Sequence, residues 1–412
     1  MAVLIAATAI ATVGASAGSA HKGARDSLRK IDHVVVIYEE NHSFDNLYGK
    51  WEGVNGLSHA DPAHTRQVKQ DGSTYDCLVQ NNANLNTPPQ SDQCQDTNPN
   101  TGSTFHSHFF NDSRSANDGS PFRIDSYIPA SAKTCPDPST SAPANGVQDP
   151  NGRAGGCTRD LVHRYYQEQY QLNDGAQNRY TTGSDAVGLT QGYYDTRQLP
   201  IYEYLHGEDH PHYAISDDFF QGAFGGSFLN HQWLIAAHTP WFDNAATSGA
   251  DDLHSIADTN AMPNNYPLYK STNAVKDSSL TELCAGANPG QHDNPQRDAA
   301  HGDAVCGDWA VNTTQPRYQP FSPGTADSRR LPPLHNATIG DRLTAKGVSW
   351  AWYSGGWSNA GGRPGERGWT NGSGPVTRGS NTSACPDPNS NPKAVWPNCP
   401  DNLFQFHHQP FN

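Results

Sequence analysis

Apolar and polar positions divide the chain into short runs that predict buried strands and long polar stretches that predict loops. Residues 31–38 form a β-branched apolar run, which predicts a fully buried central strand that stops at Glu39. Residues 213–216 are strand-like in the same way, and residues 348–353 predict a further buried strand. The candidate strands are therefore far apart in sequence.

Helical periodicity occurs between these runs. Leu161 and Tyr165 recur at helical spacing within residues 158–170, and residues 230–237 and 338–346 also predict helices. Because helices and strands alternate between long insertions, the pattern favours an α/β fold with elaborated loops.

Two long stretches, residues 61–156 and 243–332, are rich in Asn, Asp, Ser, Pro and Gly and show no sustained period, which predicts loop insertions. The eight cysteines fall into sequence-local pairs without the C-x-x-C spacing of a zinc or redox site. This favours disulfides that staple the loops in an oxidising compartment, with eight free thiols as the alternative. The expected pairs are Cys77 with Cys94, Cys135 with Cys157, Cys284 with Cys306, and Cys385 with Cys399.

Composition narrows the class of protein. The 412 residues are 34% hydrophobic and 17% charged, which is typical of a globular protein rather than a disordered one. The net charge of −14 argues against a nucleic-acid partner or an anionic membrane held by charge. An anionic substrate would therefore need a local site made of a metal ion, histidines or backbone N–H groups.

The first residues have the pattern of an export signal. Residues 3–17 are small and mostly apolar and end in Ala15, Ser16 and Ala17, the A-x-A form that a signal peptidase requires, although no basic residues precede them. The segment is too short to form a stable membrane anchor. The sequence thus predicts a signal peptide within residues 1–20 and a secreted or periplasmic protein.

Two positions carry candidate chemistry. Glu40 and Asn41 follow the first predicted strand, where open α/β sheets place their ligands, and their oxygens suit a hard divalent cation; a simple turn is the alternative. Ser227 follows Gly225 and Gly226 and precedes a predicted helix. It is either a nucleophile at a phosphate-binding helix N-terminus or the N-cap of that helix.

Residues 33–49, which include the motif E-N-H-S-F-D from Glu40, resemble the opening motif of the bacterial family of acid phosphatases and non-specific phospholipases C in the alkaline phosphatase superfamily. The resemblance implies that Glu40 and Asn41 bind one divalent metal ion, whose identity is unknown. It also implies that residues 31–412 form an alkaline-phosphatase-like three-layer sandwich with a central, mostly parallel sheet and disulfide-stapled loop insertions.

Residues 215–231 are similar to the family segment that carries the nucleophile, which implies that role for Ser227. His163 resembles a family histidine that reaches the active site and binds phosphoryl oxygens. His407 and His408 look like the paired histidines of the family, which bind phosphate or protonate the leaving alcohol.

The resemblance implies a secreted acid phosphatase that acts on small phosphomonoesters through a covalent phosphoserine. A phospholipase C that cleaves phospholipid phosphodiesters is the close alternative, although such relatives tend to carry Thr at the position of Ser227. A catalytically incomplete secreted binding protein with the same fold is an alternative of another class. The sequence does not indicate an oligomeric state.

Family members carry an Asp-rich motif followed by Gly-Gly downstream of the paired histidines, and this motif supplies further carboxylate ligands. The sequence ends at Asn412, and neither of its adjacent Asp pairs, Asp217 with Asp218 or Asp251 with Asp252, fits that motif. We therefore expect that the C-terminal part of the domain is missing and that this chain binds metal poorly.

Overall fold

The structure is a computed structural model. It describes residues 31–40, 42–60, 65–75, 78, 96–97, 104–105, 121–124, 161–242, 251–273, 276–282, 296–298, 304–318, 326–353 and 409–411. The chain divides into two compact units, Met1–Glu40 and Asn41–Asn412.

The described part of the first unit is an extended segment over residues 31–40, to which no strand is assigned. Val34 is 79% exposed, Val35 81% and Ile37 80%. The prediction of a buried central strand is therefore wrong for this structure. A β-branched run has the side chains that a sheet interior accepts, but only a neighbouring backbone that supplies hydrogen bonds turns it into a strand.

The described residues of the second unit include five α-helices. They are α1 (Phe44–Tyr48), α2 (Tyr165–Leu172), α3 (Pro200–Leu205), α4 (Ser227–Ala236) and α5 (Ile339–Ala345). Short 3₁₀ turns cover Val187–Gln191, Thr196–Gln198, Asp251–Leu253 and Asp327–Arg329. In the described segments, no helix combines the length and the apolar character that a membrane crossing requires.

Helices α2, α4 and α5 confirm the three predicted helices, with shifted ends. The sequence predicted the start of α4 at residue 230, whereas the helix begins three residues earlier at Ser227. Helix α5 begins after Thr338, whose side chain accepts from the backbone of Asp341 while the Asp341 carboxylate accepts from the Thr338 backbone. This reciprocal capping box explains the sharp start of α5.

The described strands form three sheets of two strands each. Strand β1 (Asp96–Thr97) pairs antiparallel with β2 (Thr104–Phe105), and β5 (Gln296–Asp298) pairs antiparallel with β6 (Ala304–Cys306). Strand β3 (Phe122–Arg123) pairs in parallel with β4 (Gly192–Tyr193), so Phe122 lies opposite Gly192. The mixture of helices and parallel strands agrees with the α/β class.

No sheet among the described residues is the expected central one. The other two predicted strands, residues 213–216 and 348–353, carry no strand assignment. Their apolar side chains face solvent, with Ile215 38% exposed and Val348 49% exposed. As with residues 31–38, their pattern supplies apolar side chains but the structure gives them no strand partner.

The core lies where the sequence predicted loops. The described residues between 251 and 331, called the irregular block below, have little regular structure, yet they pack against both long helices of the second unit. Phe228 of α4 packs with Leu280, Ala310 and Leu331. Tyr166 of α2 packs with Ala257, Ala261 and Val311, and Tyr170 of α2 packs with Met262 and Tyr269. The loop prediction was right about irregular backbone but missed this burial.

The predicted disulfides lie outside the described residues. Of the eight cysteines only Cys306 belongs to a described strand, and its side chain is not among the described ones. The four pairings stay predictions.

Candidate active site

Ser227 is the first residue of helix α4, not its cap. The N-cap is Gly226, with φ −50° and ψ −172°, and no side chain caps the helix. The hydroxyl of Ser227 instead contacts His163, whose Nε2 lies 3.0 Å from Ser227 Oγ. The cap alternative for Ser227 is therefore wrong, and two residues 64 positions apart in sequence form a serine–histidine pair.

The ring of His163 is oriented by its other nitrogen. Nδ1 lies 2.5 Å from the carbonyl oxygen of Leu161. Because a carbonyl oxygen only accepts hydrogen bonds, Nδ1 must carry the proton in this contact. In the neutral ring, Nε2 then has a free lone pair that faces the Ser227 hydroxyl. This is the arrangement that a general base requires.

Glycines allow the histidine segment to approach the nucleophile segment. A Cβ atom on Gly226 would lie 1.9 Å from the backbone oxygen of His163, and one on Gly225 would lie 2.6 Å from Leu229 Cδ2. Gly226 therefore excludes a side chain, because its neighbour is backbone, whereas a side chain at Gly225 would require Leu229 to move. The structural neighbour that makes Gly226 necessary is the backbone of His163.

Asn230 holds the turn before the nucleophile from the side of α4. Its Nδ2 donates to the carbonyl oxygen of Gly225 at 2.6 Å, and its Oδ1 accepts from the N–H of Ala223 at 3.3 Å. One side chain thus satisfies peptide groups at both ends of the turn, which fixes the backbone that leads into Ser227.

The irregular block of residues 251–331 anchors the start of α2, directly after His163. Arg164 Nε lies 3.3 Å from Asp277 Oδ2, and the N–H of Tyr165 donates to Asn312 Oδ1 at 2.8 Å. The N–H of Glu282 donates to the hydroxyl of Tyr166 at 2.5 Å. Burial raises the pKa of Asp277, while the charge of Arg164 and a hydrogen bond from Gln167 oppose that rise. The position of His163 therefore depends on the block that the sequence assigned to loops.

Glu168, on α2, is a further ionisable group beside the pair. Burial raises the pKa of its carboxyl to about 7, while His163 and a hydrogen bond from the Gly225 backbone act in the opposite direction. Glu168 is not among the site residues that the sequence predicted. A spacing of five residues from His163 does not place two side chains on one helical face, so no pattern in the sequence indicated this proximity.

The remaining predicted site residues are Glu40, Asn41, His407 and His408. Glu40 is partly exposed and belongs to the first unit. Asn41, His407 and His408 lie outside the described residues. Within the described segments, no three His, Cys, Asp or Glu side chains come together in a way that could hold a metal ion. Because Asn41 lies outside the described residues, the divalent metal site that the resemblance implies stays a prediction.

Comparison with known proteins gives a family. The model of the Phosphoesterase family matches residues 31–136 and 130–394, which together are most of the chain. No curated protein and no solved structure matches the chain. The two matched ranges include both members of the serine–histidine pair. The chain therefore belongs to the Phosphoesterase family and is a hydrolase that acts on phosphate esters.

Proposed function

We propose that this protein is a secreted or periplasmic acid phosphatase that hydrolyses small phosphomonoesters through a covalent phosphoserine at Ser227. The observation that supports this most directly is the 3.0 Å contact between Ser227 Oγ and His163 Nε2 at the N-terminus of α4. The first N–H groups of a helix have no intrahelical acceptor, and the helix dipole favours an anion there. A phosphate group is therefore bound where the nucleophile lies.

The reaction has two displacement steps. Ser227 Oγ attacks phosphorus, a P–Oγ bond forms, the P–O bond to the alcohol breaks, and His163 Nε2 takes the serine proton. The leaving alkoxide takes a proton from an acid, for which His407 and His408 are the candidates. Water then attacks the phosphoserine and gives one proton back to the histidine that acted as the acid, the P–Oγ bond breaks, and Ser227 recovers its proton from His163. Inorganic phosphate and the alcohol are the products.

A divalent metal at Glu40 and Asn41 is part of the proposal, as are the three-layer sandwich, the signal peptide and the disulfides. When bound, such an ion stabilises negative charge on phosphoryl oxygens. Its presence is testable by metal analysis of the purified protein. Substituting Glu40 with Gln is expected to lower metal content, and full occupancy in that variant would show that Glu40 is not a ligand.

Substrate class is tested with purified protein on p-nitrophenyl phosphate and on phosphatidylcholine vesicles. We expect turnover of the monoester and little release of phosphocholine. Preferential release of phosphocholine would replace the phosphatase by a phospholipase C. No turnover of either substrate, with or without added divalent metal, would favour the binding protein.

The nucleophile is tested by Ser227→Ala, with Ser216→Ala, an exposed serine, as the matched control. Removing the attacking hydroxyl is expected to lower kcat by roughly a thousandfold or more. The control should keep wild-type turnover. Acid quenching during turnover of ³²P-labelled substrate should trap label on the wild-type protein but not on the Ser227 variant. More than a few per cent of residual activity would contradict the assignment.

A further inference from the structure

The peptide bond between Leu161 and Val162 lies directly behind the histidine of the pair. Its carbonyl oxygen, on Leu161, accepts from His163 Nδ1 at 2.5 Å, and its N–H, on Val162, donates to Asp185 Oδ1 at 2.8 Å. His163 Nε2 in turn lies 3.0 Å from Ser227 Oγ. One continuous chain of hydrogen bonds therefore joins the serine hydroxyl, the imidazole, a single peptide group and a carboxylate.

The donors in this chain all point towards the carboxylate. The serine hydroxyl donates to His163 Nε2, the protonated Nδ1 donates to the carbonyl oxygen, and the N–H of the same peptide donates to Asp185, whose carboxylate can only accept. Hydrogen bonds aligned in this way polarise one another, and each is strengthened by roughly 10–30%. The negative charge of Asp185 is therefore transmitted to His163 through the peptide group between them.

The Asp185 carboxylate is held in place by its own segment. The hydroxyl of Ser184 donates to Asp185 Oδ1 at 3.4 Å and accepts from the N–H of Ala186 at 3.1 Å. Both neighbours are buried, with Ser184 0% exposed and Ala186 3% exposed. Leu161 packs against the apolar cluster that contains Ala186. Apolar packing thus holds the carboxylate beside the peptide group that it binds.

Attack by Ser227 moves one proton along the first link of the chain. The hydroxyl proton passes to His163 Nε2 as the P–Oγ bond forms, while Nδ1 keeps its proton and the ring becomes a cation. Neither the peptide group nor Asp185 gains or loses a proton. A carbonyl oxygen whose own N–H is bound to a carboxylate is a stronger acceptor for the cationic ring. The stabilisation is therefore larger during attack than before it.

We propose that Asp185 is a positioning residue for His163, which acts through the peptide bond between Leu161 and Val162 to orient the ring and to stabilise its protonated form. The inference rests on the proposed function of the Ser227–His163 pair. The arrangement is that of a serine–histidine–aspartate triad in which one peptide group separates the histidine from the carboxylate. Asp185 does not touch the phosphoryl group in this assignment.

The test compares Asp185→Asn and Asp185→Ala with a control, Asp174→Asn, which makes the same change at an exposed position after α2. The amide oxygen of Asn still accepts from the N–H of Val162 but carries no charge, whereas Ala provides neither. With p-nitrophenyl phosphate we expect kcat to fall about tenfold in Asp185→Asn and about a hundredfold in Asp185→Ala, with KM nearly unchanged. The control should keep the wild-type kcat.

A second measurement reads the histidine without turnover. Long-range ¹H–¹⁵N spectra of protein labelled with ¹⁵N-histidine, recorded where the ring is neutral, show which nitrogen carries the proton, and His163→Gln identifies the signals. The Nδ1–H tautomer should dominate in the wild type and in Asp174→Asn. It should lose population to the Nε2–H tautomer in Asp185→Asn, because the carbonyl becomes a weaker acceptor. Circular dichroism would verify that each variant is folded.

A lower kcat together with the change of tautomer in Asp185→Asn supports the proposal. It is overturned if the Nε2–H tautomer dominates in the wild type, or if Asp185→Asn keeps either the wild-type tautomer or the wild-type kcat. A fall in kcat without a change of tautomer would mean that Asp185 matters for the fold alone. If the wild type hydrolyses no phosphate ester, the proposed function fails, while the tautomer comparison alone decides whether Asp185 positions the ring.

Discussion

Two regions of this protein have opposite relations between sequence pattern and burial. The apolar segments at residues 31–38, 213–216 and 348–353 have the pattern of buried strands, yet Val35 is 81% exposed and Ile215 38% exposed. The irregular block of residues 251–331 has no periodic pattern, yet Leu280 is fully buried. The block also packs against α2 and α4, which carry the site.

An apolar pattern therefore shows only that the side chains of a segment are suited to burial. Whether the segment is buried depends on the other parts of the chain that pack against it. A strand needs a neighbour for its backbone hydrogen bonds and for its side chains. The irregular block instead satisfies its backbone with side chains and isolated bridges, such as those that Leu280 makes with His254 and Ala310. Residues of this block are therefore buried although they belong to no regular helix or sheet.

The strongest test of the irregular block is Asp258, which is 1% exposed and acts as its central acceptor. Its Oδ1 accepts hydrogen bonds from the N–H groups of Asn260 at 2.8 Å and Met262 at 3.1 Å. Its Oδ2 accepts three more, from the Tyr269 hydroxyl at 2.5 Å, the Ser271 hydroxyl at 3.1 Å and the Thr272 N–H at 3.2 Å. Asp258→Asn replaces one of these accepting oxygens by an NH2 group, which then faces hydrogen-bond donors instead of accepting from them. We expect the free energy of unfolding to drop by about 3–5 kcal/mol.

Urea unfolding followed by circular dichroism measures this loss, with Asp218→Asn as the matched control because Asp218 is exposed. The control should change the free energy of unfolding by less than about 0.5 kcal/mol. Equal effects of the two substitutions would remove the distinction between the two regions.

A direct comparison of the two regions truncates one apolar side chain in each. Leu280→Ala should lower the free energy of unfolding by about 2–5 kcal/mol, because it leaves a cavity among Phe228, Phe242 and Ala310. Val35→Ala should cost less than about 0.5 kcal/mol because the side chain already faces solvent. A cost of 2 kcal/mol or more at Val35 would mean that residues 31–37 are buried in the folded protein.

The burial of Glu168 on α2 predicts a pH dependence of stability. Glu168 has a pKa of about 7 in the folded chain against an ordinary value of 4.5, so the folded state binds its proton more tightly. The contribution of this proton to the free energy of unfolding is complete below about pH 4.5 and is lost as pH rises through about 7. The free energy of unfolding falls by at most about 3 kcal/mol over this range. Glu168→Gln should remove this part of the slope in urea unfolding across that range, whereas Glu203→Gln should keep it.

The smallest effect is expected at α5, which begins with a capping box and is followed by the exposed residues 348–353. Thr338→Ala removes the capping box of α5 and should lower the free energy of unfolding by about 1 kcal/mol. Thr313→Ala, at an exposed position, is the control and should have little effect. A loss well above 1 kcal/mol would indicate that α5 and residues 348–353 are integrated into the core more firmly than their exposure implies.

Part of the site was predictable because its signals are local. The Gly225–Ser227 turn before a helix pointed to Ser227, and the family resemblance pointed to His163. Their 3.0 Å contact could not be deduced, because it joins residues 64 positions apart. The raised pKa of Glu168 could not be predicted either, because burial depends on contacts with segments distant in sequence.

The sequence by itself determined the family, the helices with clear periodicity and the identity of the candidate nucleophile, because periodicity, capping residues and motifs are properties of neighbouring positions. Only the tertiary structure decided that the described residues between 251 and 331 pack against α2 and α4, and that His163 meets Ser227. Burial and ionisation depend on atoms that distant segments bring into contact, and a single sequence does not encode those contacts as a local pattern.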